Sequence, residues 1–260
     1  LIDEQREADR VLLRSFPTEH EIILARDTKL GTIDINISVM RTNTKRIKQR
    51  LVDMQEELNA MLMAGDEPDV SFQSEMKSLR NQTQEFYRQI LIAEEQKQKI
   101  RDKYAGHQHR YRQLRNLAGA DEEAPVVAEE LVLDNVIACD SDQFCDSLWK
   151  RARVYAERNA RTPVALSADA VLMTAPPRSS NELSITVSRI PRDAAAESYW
   201  IFLDLQCLST VAGDAHCASE EVEAVRRGFR TAIIADGRRA DELQSRDEVR
   251  SSRAAALVTR

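Results

Sequence analysis

Two runs of apolar residues in strict four-three alternation constrain this chain more than anything else in it. The first passes through Ile33, Ile37, Met40, Thr44, Ile47, Leu51, Met54, Leu58 and Met61. The second passes through Phe72, Met76, Leu79, Thr83, Phe86, Ile90, Ala93, Lys97, Ile100, Tyr104, His107, Tyr111 and Leu114 without a skip. A period of about 3.5 residues holds one seam of a helix toward a neighbouring helix. The residues between are mostly Glu, Gln, Lys, Arg and Asn, which suit an exposed helix face.

The breaks around these runs are as informative. Gly65-Asp66-Glu67-Pro68-Asp69 separates them. Glycine is favoured just past a helix end, proline cannot continue the ladder, and Asp69 can cap the second helix. Phe16-Pro17 marks an earlier boundary, and Thr18 with Glu21 has the form of a capping box. The pattern predicts helices over 18–64 and 70–117, each about 70 Å long at about 1.5 Å per residue. Near-equal helices joined by a short loop predict an antiparallel hairpin. The competing arrangement pairs each helix with another chain. Residues 1–17, with Ile2, Val11, Leu12 and Leu13, predict a separate short helix. One stretch, Thr32 to Val39, alternates with period two as a strand would. The heptad phase runs unbroken through it, so helix is preferred, with a start near residue 33 as the alternative.

A long two-helix hairpin buries little per residue. Its seam residues Ile33, Ile37, Met40, Ile47, Leu51, Met54, Leu58, Phe72, Met76, Leu79, Phe86 and Ile90 are therefore candidates for contact with a coiled-coil partner. Thr44, Thr83, Lys97 and His107 interrupt the seam. Such residues either fix partner choice or mark frayed, exposed positions. Toward its end the second helix carries Lys97, Lys99, Arg101, Lys103, Arg110, Arg112 and Arg115 against Asp102 alone. Cations suit a helix C-terminus, so the bland reading is a solvated face. The sharper reading is a patch for an acidic partner, such as a tubulin tail, an acidic helix or RNA.

After a polar linker at 119–125 the pattern changes. Residues 126–137 read as a candidate strand or an extended entry segment, and Ser141 or Asp142 can cap a helix running to about Asn159. Strands are expected at Val164 to Met173, Leu183 to Ile190 and Tyr199 to Leu208, the last being the most apolar stretch. Ser219 can cap a final helix to about Asp236, and 237–260 reads as a polar tail. The fold class expected is α+β: a long helical hairpin or coiled coil, then a small domain over 126–236. That domain would hold a three- to four-stranded antiparallel sheet with flanking helices. Domains of this shape cap coiled coils in kinetochore subunits and occur among secretion chaperones, although no motif ties this chain to either.

Composition narrows the function. Charged residues make up 31% of the chain and aromatics 5%, which suits long, thin helices better than one large core. A net charge of −6 disfavours general nucleic-acid binding. No apolar run approaches the roughly 20 residues that span a bilayer. LIDEQREADR is no secretory signal, and its lack of an initiating Met fits a processed product, a fragment or an incomplete reading. Cys139, Cys145, Cys207 and Cys217 match no zinc spacing and are expected as free thiols. No phosphate-cradle, HExxH, CxxC or GxSxG motif occurs. His107 and His109, two apart on a helix, face apart; His216-Cys217 and Asp204 read as structural. No catalytic residue, cofactor or metal ligand is therefore expected. The expected function is a non-enzymatic scaffold subunit binding other proteins, in a cytoplasmic or cytoskeletal setting. A binder of acidic polymers and a membrane-trafficking adaptor are the alternatives.

Overall fold

The computed structural model describes residues 2–117, 133–192 and 198–234. The linker at 119–125 and the tail at 237–260 lie outside them. Three helices come first: α1 (Ile2–Ser15), α2 (Glu19–Ala64) and α3 (Val70–Arg115). The strand-like stretch 32–39 lies inside α2. Gly65 ends α2 with φ 82°, while Asp66 N–H donates to Met61 O at 2.9 Å and Gly65 N–H to Leu62 O at 3.2 Å. This double bond pattern satisfies the last carbonyls of the helix, and the left-handed φ favours glycine. Asp69 Oδ1 then accepts from Phe72 N at 2.7 Å and caps α3.

The chain divides into two compact units, and both long helices contribute to each. The first unit holds Leu1–Lys45 and Phe86–Leu131. In it α2 and α3 pair antiparallel, with Lys97 Nζ 2.6 Å from Asp34. Leu12, Ile22, Tyr104 and Tyr111 form its buried cluster, flanked by Leu13 and Phe16. The short helix expected at the N-terminus is thus packed on α2 and α3. Tyr111 Oη donates to Pro17 O at 2.7 Å, and Arg110 grips Asp9 through two bonds of 2.8 and 2.6 Å.

The second unit holds Arg46–Glu85 and Val132–Arg260. Its strands are β1 (Val136–Cys139), β2 (Val164–Ser167), β3 (Val171–Thr174), β4 (Ser184–Pro191) and β5 (Tyr199–Gln206). They form one antiparallel five-stranded sheet in the order β1-β5-β4-β3-β2. The three to four strands expected become five for two reasons. The segment read as one strand, Val164 to Met173, is a hairpin: its polar Ala168-Asp169-Ala170 turn has Ala168 N–H donating to Val171 O at 2.8 Å. And the entry segment supplies an edge strand, β1, that pairs with β5 through Ile137 opposite Ile201. The helices of this domain are α4 (Asp142–Asn159), α5 (Val211–Cys217) and α6 (residues 220–234).

Both sheet faces are covered. On one, Leu172, Ile185, Val187, Ile201 and Leu203 pack with Leu148, Trp149 and Ala152 of α4 and Phe229 and Ile233 of α6. On the other, Leu166, Val171 and Met173 pack with Leu51, Val52 and Met54 of α2 and Met76 of α3. In strand β4 Ser184, Thr186 and Ser188 alternate with apolar residues, a pattern that suits a half-exposed strand. All three are buried, because the tip half of the helical hairpin lies over them. On this face Asp204, opposite Thr186 in the ladder, meets Lys48 Nζ at 3.2 Å. Both residues are buried.

The cysteines depart from expectation: Cys139 pairs with Cys145, and Cys207 with Cys217. The first bridge ties the end of β1 to the first turn of α4, and the second ties the end of β5 to α5. Spacing alone did not reveal that sheet register and helix entry bring the members of each pair together.

This packing makes two predictions about stability. Asp204→Leu leaves the buried Lys48 charge without its carboxylate and should destabilise the chain by about 3–5 kcal/mol in urea unfolding. Adding Lys48→Met to it should recover most of that loss. Removing either disulfide, by Cys139→Ala with Cys145→Ala or Cys207→Ala with Cys217→Ala, should cost about 2–3 kcal/mol on a loop-entropy account.

Candidate interaction surface

The seam residues proposed as partner contacts face inward. Ile33, Ile37, Leu51, Met54, Met76 and Ile90 are buried. Met40, Ile47, Leu58, Phe72, Leu79 and Phe86 are half-buried. Ile47, Leu58, Phe72 and Leu79 join the cluster beneath the sheet. Within the described residues the seam is therefore occupied by the chain itself. Its polar members are neither frayed nor open. Thr44 and Thr83 are buried and donate to Met40 O and Leu79 O of their own helices, at 2.8 and 2.9 Å. Lys97 is buried between Asp34 and Glu94. These acids raise its pKa against the opposing effect of burial.

The basic run is partly neutralised in the same way. Lys97, Arg110 and Arg112 pair with Asp34, Asp9 and Glu19. Arg115 lies over the Tyr111 ring at 5.6 Å. Lys99, Arg101 and Lys103 remain exposed. His107 is half-buried against Phe16 and Tyr104, with ring centroids 6.2 and 5.6 Å away. Its Nδ1 is buried without a partner. Burial, helped by Lys103 and Lys29, lowers its pKa. Cys217 is held in a disulfide and offers no thiolate beside His216.

A second face of α2 was not singled out from the sequence. Leu24, Ile35 and Val39 are 57%, 66% and 54% exposed. With Thr28, Gly31, Thr32, Ser38 and Thr42 they form an outward stripe along the first unit's part of α2, and no member is charged. Thr28, Thr32 and Thr42 donate to Leu24 O, Thr28 O and Ser38 O, so these hydroxyls are satisfied within the helix. The charges of the same stretch stand off the stripe. Lys29 lies over the Tyr104 ring, Asp34 pairs with Lys97, and Arg26 with Asp27. The signal was present in the strand-like stretch. Ile33 and Ile37 enter the seam, while Ile35 and Val39 face outward, so apolar residues on two helix faces produce a period of two.

A separate surface cleft of about 500 Å³ lies in the second unit between α4 and α6, lined by Lys150, Arg151, Val154, Tyr155, Arg158 and Ile233. Arg151 is committed to Ile233 O at 2.9 Å, and Tyr155 Oη to Val225 O at 2.7 Å. Among the described residues no helix is long and apolar enough to cross a membrane.

These features define a class: an α+β chain in which the Arg46–Glu85 part of a helical hairpin covers one face of a five-stranded sheet, with an uncharged stripe along the first unit's part of α2. No family model, curated protein or solved structure matches it.

The environment of His107 predicts a pH effect. Because its folded pKa lies below the ordinary value of about 6.5, the unfolded chain binds this proton first as the pH falls. Stability should therefore drop as pH falls below about 6.5. Unfolding followed by circular dichroism at neutral and mildly acidic pH should show this loss, and His107→Phe should reduce it.

Proposed function

We propose that this chain is a non-enzymatic scaffold subunit that works through protein-protein contacts. The observation that carries this reading is the outer stripe of α2, charge-free from Leu24 to Thr42 in a chain that is 31% charged. An uncharged strip of this kind, with Leu24, Ile35 and Val39 exposed along it, supports an interaction surface. The ordered polar bonds of the seam add a rigid support for it. The acidic-polymer alternative is left with Lys99, Arg101, Lys103 and Arg115, since three of its seven cations are already paired with carboxylates of the chain.

The cysteines bear on the setting. Stable disulfides persist in oxidising compartments and are rare where thiols are kept reduced. The two bridges therefore favour an oxidising setting over the cytoplasmic or cytoskeletal one expected from sequence. Chain isolated without reductant should show no alkylatable thiol until it is reduced; four reactive thiols would restore the cytoplasmic placement.

The scaffold reading is tested by the native size of the tagged chain in gentle extracts of its own cells. It should travel with other proteins at a mass well above two copies of itself. Recovery only as one or two copies of the 29.5 kDa chain would defeat the reading.

A further inference from the structure

The tip of the helical hairpin, within the second unit, presents apolar side chains beside carboxylates that meet no cation among the described residues. The two helices are packed against the sheet as far as Leu58 of α2 and Phe72 of α3, which are half-buried. From Asn59 to Ser71 no residue is buried. Leu62, Met63 and Val70 are 57%, 90% and 82% exposed. They stand in the last turn of α2 and the first turn of α3, on either side of the Gly65 turn. Asn59, which accepts from Gln55 at 3.1 Å, and Ser71 are the neutral polar residues among them.

Charge decides what kind of partner fits. Between Arg50 and Lys77 the chain has seven carboxylates and no Lys, Arg or His. Three are committed: Glu75 pairs with Arg50, Asp53 accepts from Gln49, and Asp69 caps α3. Glu56, Glu57, Asp66 and Glu67 are exposed and form no ion pair with a described residue. The last turn of α2 holds no cation either, although the negative end of a helix favours one. The positive charge that this surface calls for therefore comes from outside it. An anionic membrane or a nucleic acid would be repelled. The tip has no strand edge with which an extended peptide could pair, so side chains must make the contact. Met61 and Met63 are flexible enough to adjust to an incoming apolar face.

We infer that the hairpin tip is a docking surface for a cationic amphipathic helix of another protein. The apolar face of that helix covers Leu62, Met63 and Val70, and its Lys or Arg residues meet Glu56, Glu57, Asp66 and Glu67. This rests on the reading of the chain as a scaffold subunit and states the chemistry of one partner.

The probe is a dye-labelled leucine–lysine peptide of about four helical turns, with its lysines on one face. Fluorescence anisotropy with the full chain should give micromolar binding that weakens about tenfold as salt rises from about 0.05 to about 0.3 M. Met63→Ser with Val70→Ser should weaken binding about tenfold at constant salt. Circular dichroism should be unchanged in this variant, since both side chains are exposed within their own chain. Glu56→Gln, Glu57→Gln, Asp66→Asn and Glu67→Gln together should remove most of the salt dependence. No binding, binding indifferent to Met63→Ser with Val70→Ser, or equal binding of a peptide with Glu in place of Lys overturns the proposal. So does self-association in sedimentation that the same double substitution abolishes, which would give the tip to a second copy. Any of these leaves the scaffold reading intact, because that reading falls on native size and not on this surface.

Discussion

A buried carboxylate must be answered by a partner within reach of its own side chain, and Asp204 on β5 is answered by Lys48 of α2. This contact sets the register between sheet and hairpin in the second unit. A shift of α2 by one residue along its axis would carry Lys48 off the face that meets β5 and leave both charges desolvated. The apolar contacts around it, Leu51, Val52 and Met54 against Leu166, Val171 and Met173, tolerate displacement more readily. Nondirectional burial supplies the attraction and the ion pair supplies the address.

The surrounding face is more polar than a sheet interior usually is. Thr174 and Ser184 hydroxyls bond to one another and to neighbouring backbone, while the Thr186 and Ser188 hydroxyls are buried without partners. The opposite face, under α4 and α6, is almost wholly apolar and is closed by the two disulfides. The sheet thus joins a strongly bonded face to a more weakly bonded one. Arg189 reinforces the first from the surface, stacked over Tyr199 at 3.9 Å and paired with Asp142 and Asp146 of α4.

Much of this was legible in the residues themselves. Gly65, Pro68 and Asp69 placed the hairpin turn, because each solves a helix-end problem that only local bonds can solve. Ser141 marked the start of α4 as well, although its hydroxyl makes no capping bond there. The features that escaped were those decided by distant packing. The alternation of β4 revealed a strand but not that its serines and threonines would lie under helices. Lys48 sits off the seam and reads as a surface residue until β5 arrives above it. The β2–β3 turn has no glycine or proline to announce it. The outer stripe went unread because the seam, being longer and more regular, claimed the isoleucines on both sides.

The separation between Lys48 and Asp204, 156 residues, also has a meaning in time. The β2 to β5 meander makes its ladders between near neighbours, while the hairpin's contact with that sheet closes a very long loop. On a ribosome adding about 5–20 residues per second, Lys48 emerges roughly 8–30 s before the strand that neutralises its position exists. Through that interval α2 and α3 can shelter their seams only against each other, so a turn that forms early at Gly65 acts as the chain's own holding device during synthesis.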